Sequence, residues 1–253
     1  MKKVLTAALI CTVSAFAAWD KFPVIERGKG EAKFYWETGS QASKSLADSL
    51  KSDGFYGIRY SPISNLEFAA YANNDYALGF RYQIISVLSA GVDVSFPLPG
   101  PFWSFTPNFQ FSMPLTSALT LGSNFEMTIN TEGKYIGTES KYINGVETTE
   151  ATETKKTNGI DAVAGVELDF AINEKNTIWI SCDLEKGITK TESNGEDISR
   201  KGEDRGLGIY PQAGYLITLS NLDLGTYIKL GFGKDAGNGD IVTIVGIDAA
   251  IKF

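Results

Sequence analysis

The chain closes on "DIVTIVGIDAAIKF", Asp240 to Phe253. Odd positions carry Ile241, Thr243, Val245, Ile247, Ala249, Ile251 and Phe253. Even positions carry Asp240, Val242, Ile244, Gly246, Asp248, Ala250 and Lys252. A repeat of two is the period of a β-strand whose faces look into different surroundings. One face is apolar up to the last residue. The other holds acids, glycine and lysine where a soluble domain needs a packed core.

The same period recurs along the chain and defines twelve strands, at 31–38, 54–61, 65–72, 75–83, 87–96, 103–112, 118–130, 159–171, 176–186, 206–218, 221–233 and 240–253. Short connections at 61–64, 83–86, 113–117, 172–176 and 218–221 alternate with others that are mostly longer and more polar, at 39–53, 73–75, 97–102, 131–158, 187–205 and 234–239. An antiparallel meander with all tight turns at one end produces this order. An even strand count then puts both termini at the tight-turn end. Asn144-Gly145, Asn194-Gly195 and Asn238-Gly239 favour the positive φ angles of hairpin turns. The polar, β-prone stretch at 131–158 therefore reads as a hairpin running beyond the body, and the stretch at 187–205 reads the same way. In 39–53, Ala42, Leu46, Ala47 and Leu50 fall near one helical face, a spacing that admits a short helix.

Residues 1–18, "MKKVLTAALICTVSAFAA", read as a cleaved signal peptide: Lys2 and Lys3, an apolar run too short to span a bilayer, and a small-x-small site at Ala15–Ala17. Ile10 before Cys11 argues against lipidation. Residues 19–253 form one domain. Without Lys2 and Lys3 the charge is 21 bases against 30 acids, a net of −9, which disfavours nucleic acid as a partner. One cysteine, Cys182, remains, so an exported domain of this size has no internal disulfide. Histidine is absent from the chain, which removes histidine-based hydrolases and histidine metal sites together. No cofactor is expected.

Written across all twelve strands, one face is apolar and free of charge, with aromatics toward strand ends (Trp36, Tyr56, Tyr60, Tyr76, Tyr82, Trp103, Phe111, Phe170, Phe232, Phe253). The opposite face carries five bases (Lys33, Arg59, Arg81, Lys229, Lys252) and eleven acids (Glu37, Glu67, Asp93, Glu126, Asp161, Glu167, Asp169, Asp183, Glu185, Asp223, Asp248), with many glycines between them. A soluble sandwich also alternates, with its apolar faces meeting. Export without disulfides, aromatic strand ends and the uninterrupted meander favour lipid outside instead. In lipid every backbone group must pair internally, so the sheet must close. The expectation is an all-β, closed, up-and-down antiparallel transmembrane barrel of about 12 strands.

In this pattern the chain resembles Gram-negative outer-membrane β-barrel proteins. Phe253, with Ile251, Ala249 and Ile247 behind it, is similar to the carboxy-terminal signal read by the barrel-assembly machinery. Gly246 stands further from the end than is common, and Ala249 and Ile251 occupy places where aromatics often stand. The resemblance implies outer-membrane lipid and the assembly machinery as partners. It also implies a porin-like passage for small ions or solutes. Inward glycine, serine, threonine and alanine leave room for water. Asp93, Glu126, Glu167, Asp169, Asp183, Asp223 and Asp248 would line the passage, with Arg59, Arg81 and Lys229, and the acid excess would favour cations weakly. Two alternatives stay open. Acids and bases pair across the interior and seal it as a structural scaffold, or the loops at 131–158 and 187–205 serve surface recognition. Barrel proteases and phospholipases lean on histidine, so no enzyme is expected. Glu167 and Asp169, two apart on one face, read as solvated acids.

Overall fold

The computed structural model describes residues 26–41, 51–73, 75–97, 103–131, 133–143, 146–156, 159–187, 191–193, 196–197, 207–233 and 241–253. Sixteen strands follow one another among the described residues. They are β1 (Gly30–Gln41), β2 (Lys51–Ile63), β3 (Leu66–Asn73), β4 (Asp75–Ile85), β5 (Leu88–Pro97), β6 (Ser104–Pro114), β7 (Leu119–Asn130) and β8 (Gly133–Ile143). They continue as β9 (Val146–Lys156), β10 (Gly159–Asn173), β11 (Asn176–Gly187), β12 (Thr191–Ser193), β13 (Glu196–Asp197), β14 (Gly208–Leu219), β15 (Leu222–Gly231) and β16 (Val242–Lys252).

Twelve of them, all but β8, β9, β12 and β13, close into an antiparallel barrel. These are the twelve stretches expected from the period of two, extended or trimmed by a few residues. The chain's last strand completes the ring. Along β1 and β16, Glu31 stands opposite Lys252, Phe34 opposite Ala249 and Gln41 opposite Val242. Beyond the ladder the Gly30 amide donates to the Phe253 carbonyl at 2.7 Å, and the Phe253 amide returns a bond to Gly30 at 2.9 Å. The Phe253 ring covers the space where a Gly30 side chain would lie.

The turns at the end where β1 begins and β16 finishes are short. β2–β3 and β14–β15 turn in two residues each, with Asn65 (φ 68°) and Ser220 (φ 53°) in the left-handed region. Asn tolerates that conformation through local side-chain bonding. The β6–β7 turn is held by Thr116, whose hydroxyl accepts from the Ala118 and Leu119 amides at 3.2 and 3.1 Å.

Burial inverts the pattern of a soluble protein. Phe34, Trp36, Ile58, Leu78, Phe80, Phe109, Phe125, Val166, Ile180, Ile228, Ile247 and Ile251 are exposed, while Glu67, Asn108, Gln110, Asp183 and Lys229 are among the most buried side chains. Isolated surface leucines are ordinary, but an apolar surface encircling a closed sheet has hydrocarbon as its matching solvent. The sandwich alternative therefore fails on two counts, closure and polarity. On the outer face Tyr76, Phe96 and Trp103 run together, with ring centroids 6.2 and 5.7 Å apart.

The remaining strands form a four-stranded sheet in the order β13–β12–β9–β8. Ile143 stands opposite Val146, so the 144–145 connection spans two residues as Asn-Gly favours, and Ser193 opposite Glu196 gives the same for 194–195. The expected hairpin beyond the body is thus present. Its union with the second loop, through Thr191 opposite Lys156, was not expected. The signal segment, the turn residues themselves and 42–50 lie outside the described residues; the flanks of the helix-compatible stretch, through Gln41 and from Lys51, are strand.

Candidate functional site in the barrel interior

Strand alternation turns the ten charged residues expected to line the passage toward the interior, where they and their charged neighbours divide into two walls. The first wall comprises β15, β16 and β1–β4. Among the described side chains it holds five acids (Glu31, Glu37, Glu67, Asp223, Asp248) and five bases (Lys33, Arg59, Arg81, Lys229, Lys252). Each base reaches an acid. Arg59 lies 3.3 Å from Glu31 and 3.6 Å from Glu67, and Arg81 lies 3.4 Å from Glu67. Lys229 lies 3.4 Å from Glu37, Lys33 3.6 Å from Asp248, and Lys252 2.5 Å from Asp223. Arg59 and Arg81 flank Glu67 from the two neighbouring strands. Glu31, absent from the sequence-based inward set, belongs to this network because it shares the inward parity of Lys33 and Glu37 and reaches Arg59 on β2.

The second wall comprises β5–β7, β10, β11 and β14. It holds Asp93, Glu126, Asp161, Glu167, Asp169, Asp183 and Glu185, and no base faces inward among its described residues. Here four of the carboxylates take hydrogen bonds from neutral amides. Asn108 donates to Asp93 at 2.8 Å, Asn124 to Glu126 at 2.9 Å, Asn130 to Asp161 at 2.7 Å and Gln212 to Asp183 at 2.6 Å. Gln110 donates to Asn108 at 2.9 Å and accepts from Ser89 at 2.6 Å, extending the network along β5 and β6. An amide satisfies a buried carboxylate's lone pairs without cancelling its charge, whereas an arginine does both.

The inner face also carries large aromatics that the sequence-based inward set left out. Tyr35 and Phe55 stack at 5.1 Å with an interplanar angle of 6°, and Tyr71 adjoins Phe55 at 5.8 Å. With Ala69 and Ala77 they make a small apolar core inside the first wall. Trp179 and Tyr227, 5.8 Å apart, lie across the backbone at Gly214 and Gly246, where a Cβ would collide with their rings. Gly79 and Gly225 likewise receive the carboxyl groups of Asp93 and Asp248. These inward glycines are therefore not vacancies left for water, as composition suggested; a neighbour's side chain covers each. The signal was parity. Tyr35 sits between outward Phe34 and Trp36, and so must face in.

The assembly-signal residues lie outside this network. Ile251 and Phe253 are exposed on the outer side at the closing seam. Among the described residues no group of three or more cysteine, aspartate or glutamate side chains is arranged to hold a metal ion.

No protein-family model matches the chain, and no curated protein does. Among solved structures, it superposes on a KdgM porin determined with disordered oligogalacturonate (TM-score 0.51, 10% identity, 88% of this chain and 99% of that one). It also superposes on the Pseudomonas putida toluene transporter TodX (TM-score 0.50, 9% identity, 89% of each chain). At such identity the likeness concerns backbone architecture alone: the chain has the fold of outer-membrane β-barrel porins and channels.

Proposed function

We propose that the chain is exported by a cleaved signal peptide and inserted in the bacterial outer membrane of a Gram-negative cell. There it acts as a small, porin-like, weakly cation-preferring passive channel rather than an enzyme. The observation that carries this reading is the difference in how the two walls satisfy their acids. Among the described side chains the first wall sums to zero, while the second holds seven carboxylates and no inward base, four of them bonded by neutral amides, so the interior has a one-sided negative field. A water-filled passage with such a wall concentrates cations and repels anions. The apolar outer belt, the closed backbone and the fold shared with porins support the membrane setting. Lipid surrounds the barrel, the assembly machinery reads Phe253 and Ile251, and small ions or solutes pass.

Purified protein in planar bilayers tests the reading: stepwise conductance with a cation-signed reversal potential is expected. Bilayers without current, from protein that shows the heat-dependent gel shift of a folded barrel, would favour the sealed scaffold.

A second reading is favoured by one specific observation. The 131–158 and 187–205 segments are joined in a single sheet, β13–β12–β9–β8, and a sheet is a firmer recognition surface than two separate loops. Deleting 136–155 is then expected to leave the barrel folded and to abolish surface binding only.

A further inference from the structure

One row of paired residues crosses six strands of the interior. Asp169 on β10 stands opposite Trp179 on β11, which stands opposite Gly214 on β14. Gly214 stands opposite Tyr227 on β15, Tyr227 opposite Gly246 on β16, and Gly246 opposite Glu37 on β1. The row therefore reads acid, ring, glycine, ring, glycine, acid. The two glycines, lacking a Cβ, leave room for the rings to pass over their backbone, and both rings remain partly open.

These rings differ from the other inward aromatics. Tyr35, Phe55 and Tyr210 are 2–3% exposed and fill space, whereas Trp179 and Tyr227 are only half-buried. The Tyr227 hydroxyl donates to Glu37 Oε1 at 2.5 Å, and Lys229 reaches the same oxygen at 3.4 Å. The other oxygen, Oε2, is buried with no hydrogen-bond partner. At the opposite end Asp169 is half-buried beside Trp179, at the foot of the acid-only wall. Lys33 on β1 and Lys229 on β15 are paired with Asp248 and Glu37.

Resting on the channel reading, we propose that Trp179 and Tyr227, bounded by Asp169 and Glu37, form a binding platform for organic cations: a protonated amine, guanidinium or quaternary ammonium on an apolar body. The ring faces attract a cation through their quadrupoles, and Asp169, on the wall without an inward base, adds long-range attraction. An inorganic cation keeps its water and gains little from a ring face. An anion meets the acid wall, and a neutral aromatic stacks without the charge contribution.

The probe is phenethylammonium, with 2-phenylethanol as its neutral counterpart, added to single channels carrying potassium current. Phenethylammonium is expected to interrupt the current in a concentration-dependent way and 2-phenylethanol to leave it unchanged. Trp179→Leu keeps bulk over Gly214 and removes the π-face; it is expected to shorten the blocked time roughly fivefold, about 1 kcal/mol of cation–π attraction. Trp179→Phe restores part of it. Steady current without block by phenethylammonium overturns the platform while leaving the channel standing, and equal block by 2-phenylethanol overturns its preference for cations. A parallel fluorescence titration uses a variant with Trp19, Trp36 and Trp103 changed to Phe, so that Trp179 alone reports. Saturable quenching by phenethylammonium without any current upholds the platform and removes the channel reading. Neither current nor quenching removes both.

Discussion

The two walls of the interior solve the same problem differently. Both bury carboxylates in a sheet whose outside faces apolar surroundings, and an unsatisfied buried charge costs several kcal/mol. The wall from β15 through β4 answers with bases: Glu67, fully buried, is gripped between Arg59 and Arg81. The wall from β5 through β14 answers with amides, such as Gln212 on Asp183 and Asn108 on Asp93. Paired charges hold a barrel together and cancel at a distance. Amide-held charges hold it together and leave a field. The first wall is thus built for stability, and the second retains the electrostatics a permeating ion would meet.

The largest effect expected from this contrast is in the paired wall. Glu67→Ala removes the shared partner of two buried arginines and is expected to cost about 3–5 kcal/mol, the usual penalty for stranding a buried charge. A fall in the urea midpoint of the detergent-folded barrel would register it. The corresponding change in the amide wall, Asn108→Leu, removes one neutral donor and is expected to cost about 1–3 kcal/mol by the same assay. If the two changes cost the same, the contrast between the walls is wrong as an account of stability. Gly246→Val is expected to displace the Tyr227 ring at about 1–3 kcal/mol, with a change in aromatic circular dichroism that Asn108→Leu lacks. At the small end, Lys252→Ala breaks the pair with Asp223, whose lysine side chain is 46% exposed. A loss under about 1 kcal/mol is expected there, visible only as a slight shift in midpoint.

Much of the fold was legible because a strand's period is two and a bilayer enforces it. Phe34, Tyr56, Phe80 and Ile247 each declare a face, and a one-residue slip would drive Arg81 or Asp93 into lipid. Strand number and closure followed from the same rule. The interior was less legible, because its contacts depend on which residue of one strand stands beside which of the next. Nothing local in "TIWIS" says that Trp179 will lie over Gly214, thirty-five residues on; that follows from the β11–β14 register. Nor does composition distinguish a glycine left open from one covered by a tyrosine. Arg59 and Arg81 show the same limit. Their inward direction was readable, but their convergence on Glu67 is a property of three adjacent strands. The joining of 131–158 to 187–205 rests on the few residues that pair β12 with β9.

The central claim is that the amide-held wall keeps its charge and biases ion passage. The most direct test is the reversal potential of single channels under a potassium chloride gradient, for the native chain and for a variant carrying Glu126→Gln, Glu167→Gln and Asp183→Asn. The native chain is expected to show a cation-signed potential that moves toward zero in the variant, with the barrel still folded. An anion-signed potential, or a cation-signed one that the three substitutions leave unchanged, would contradict it.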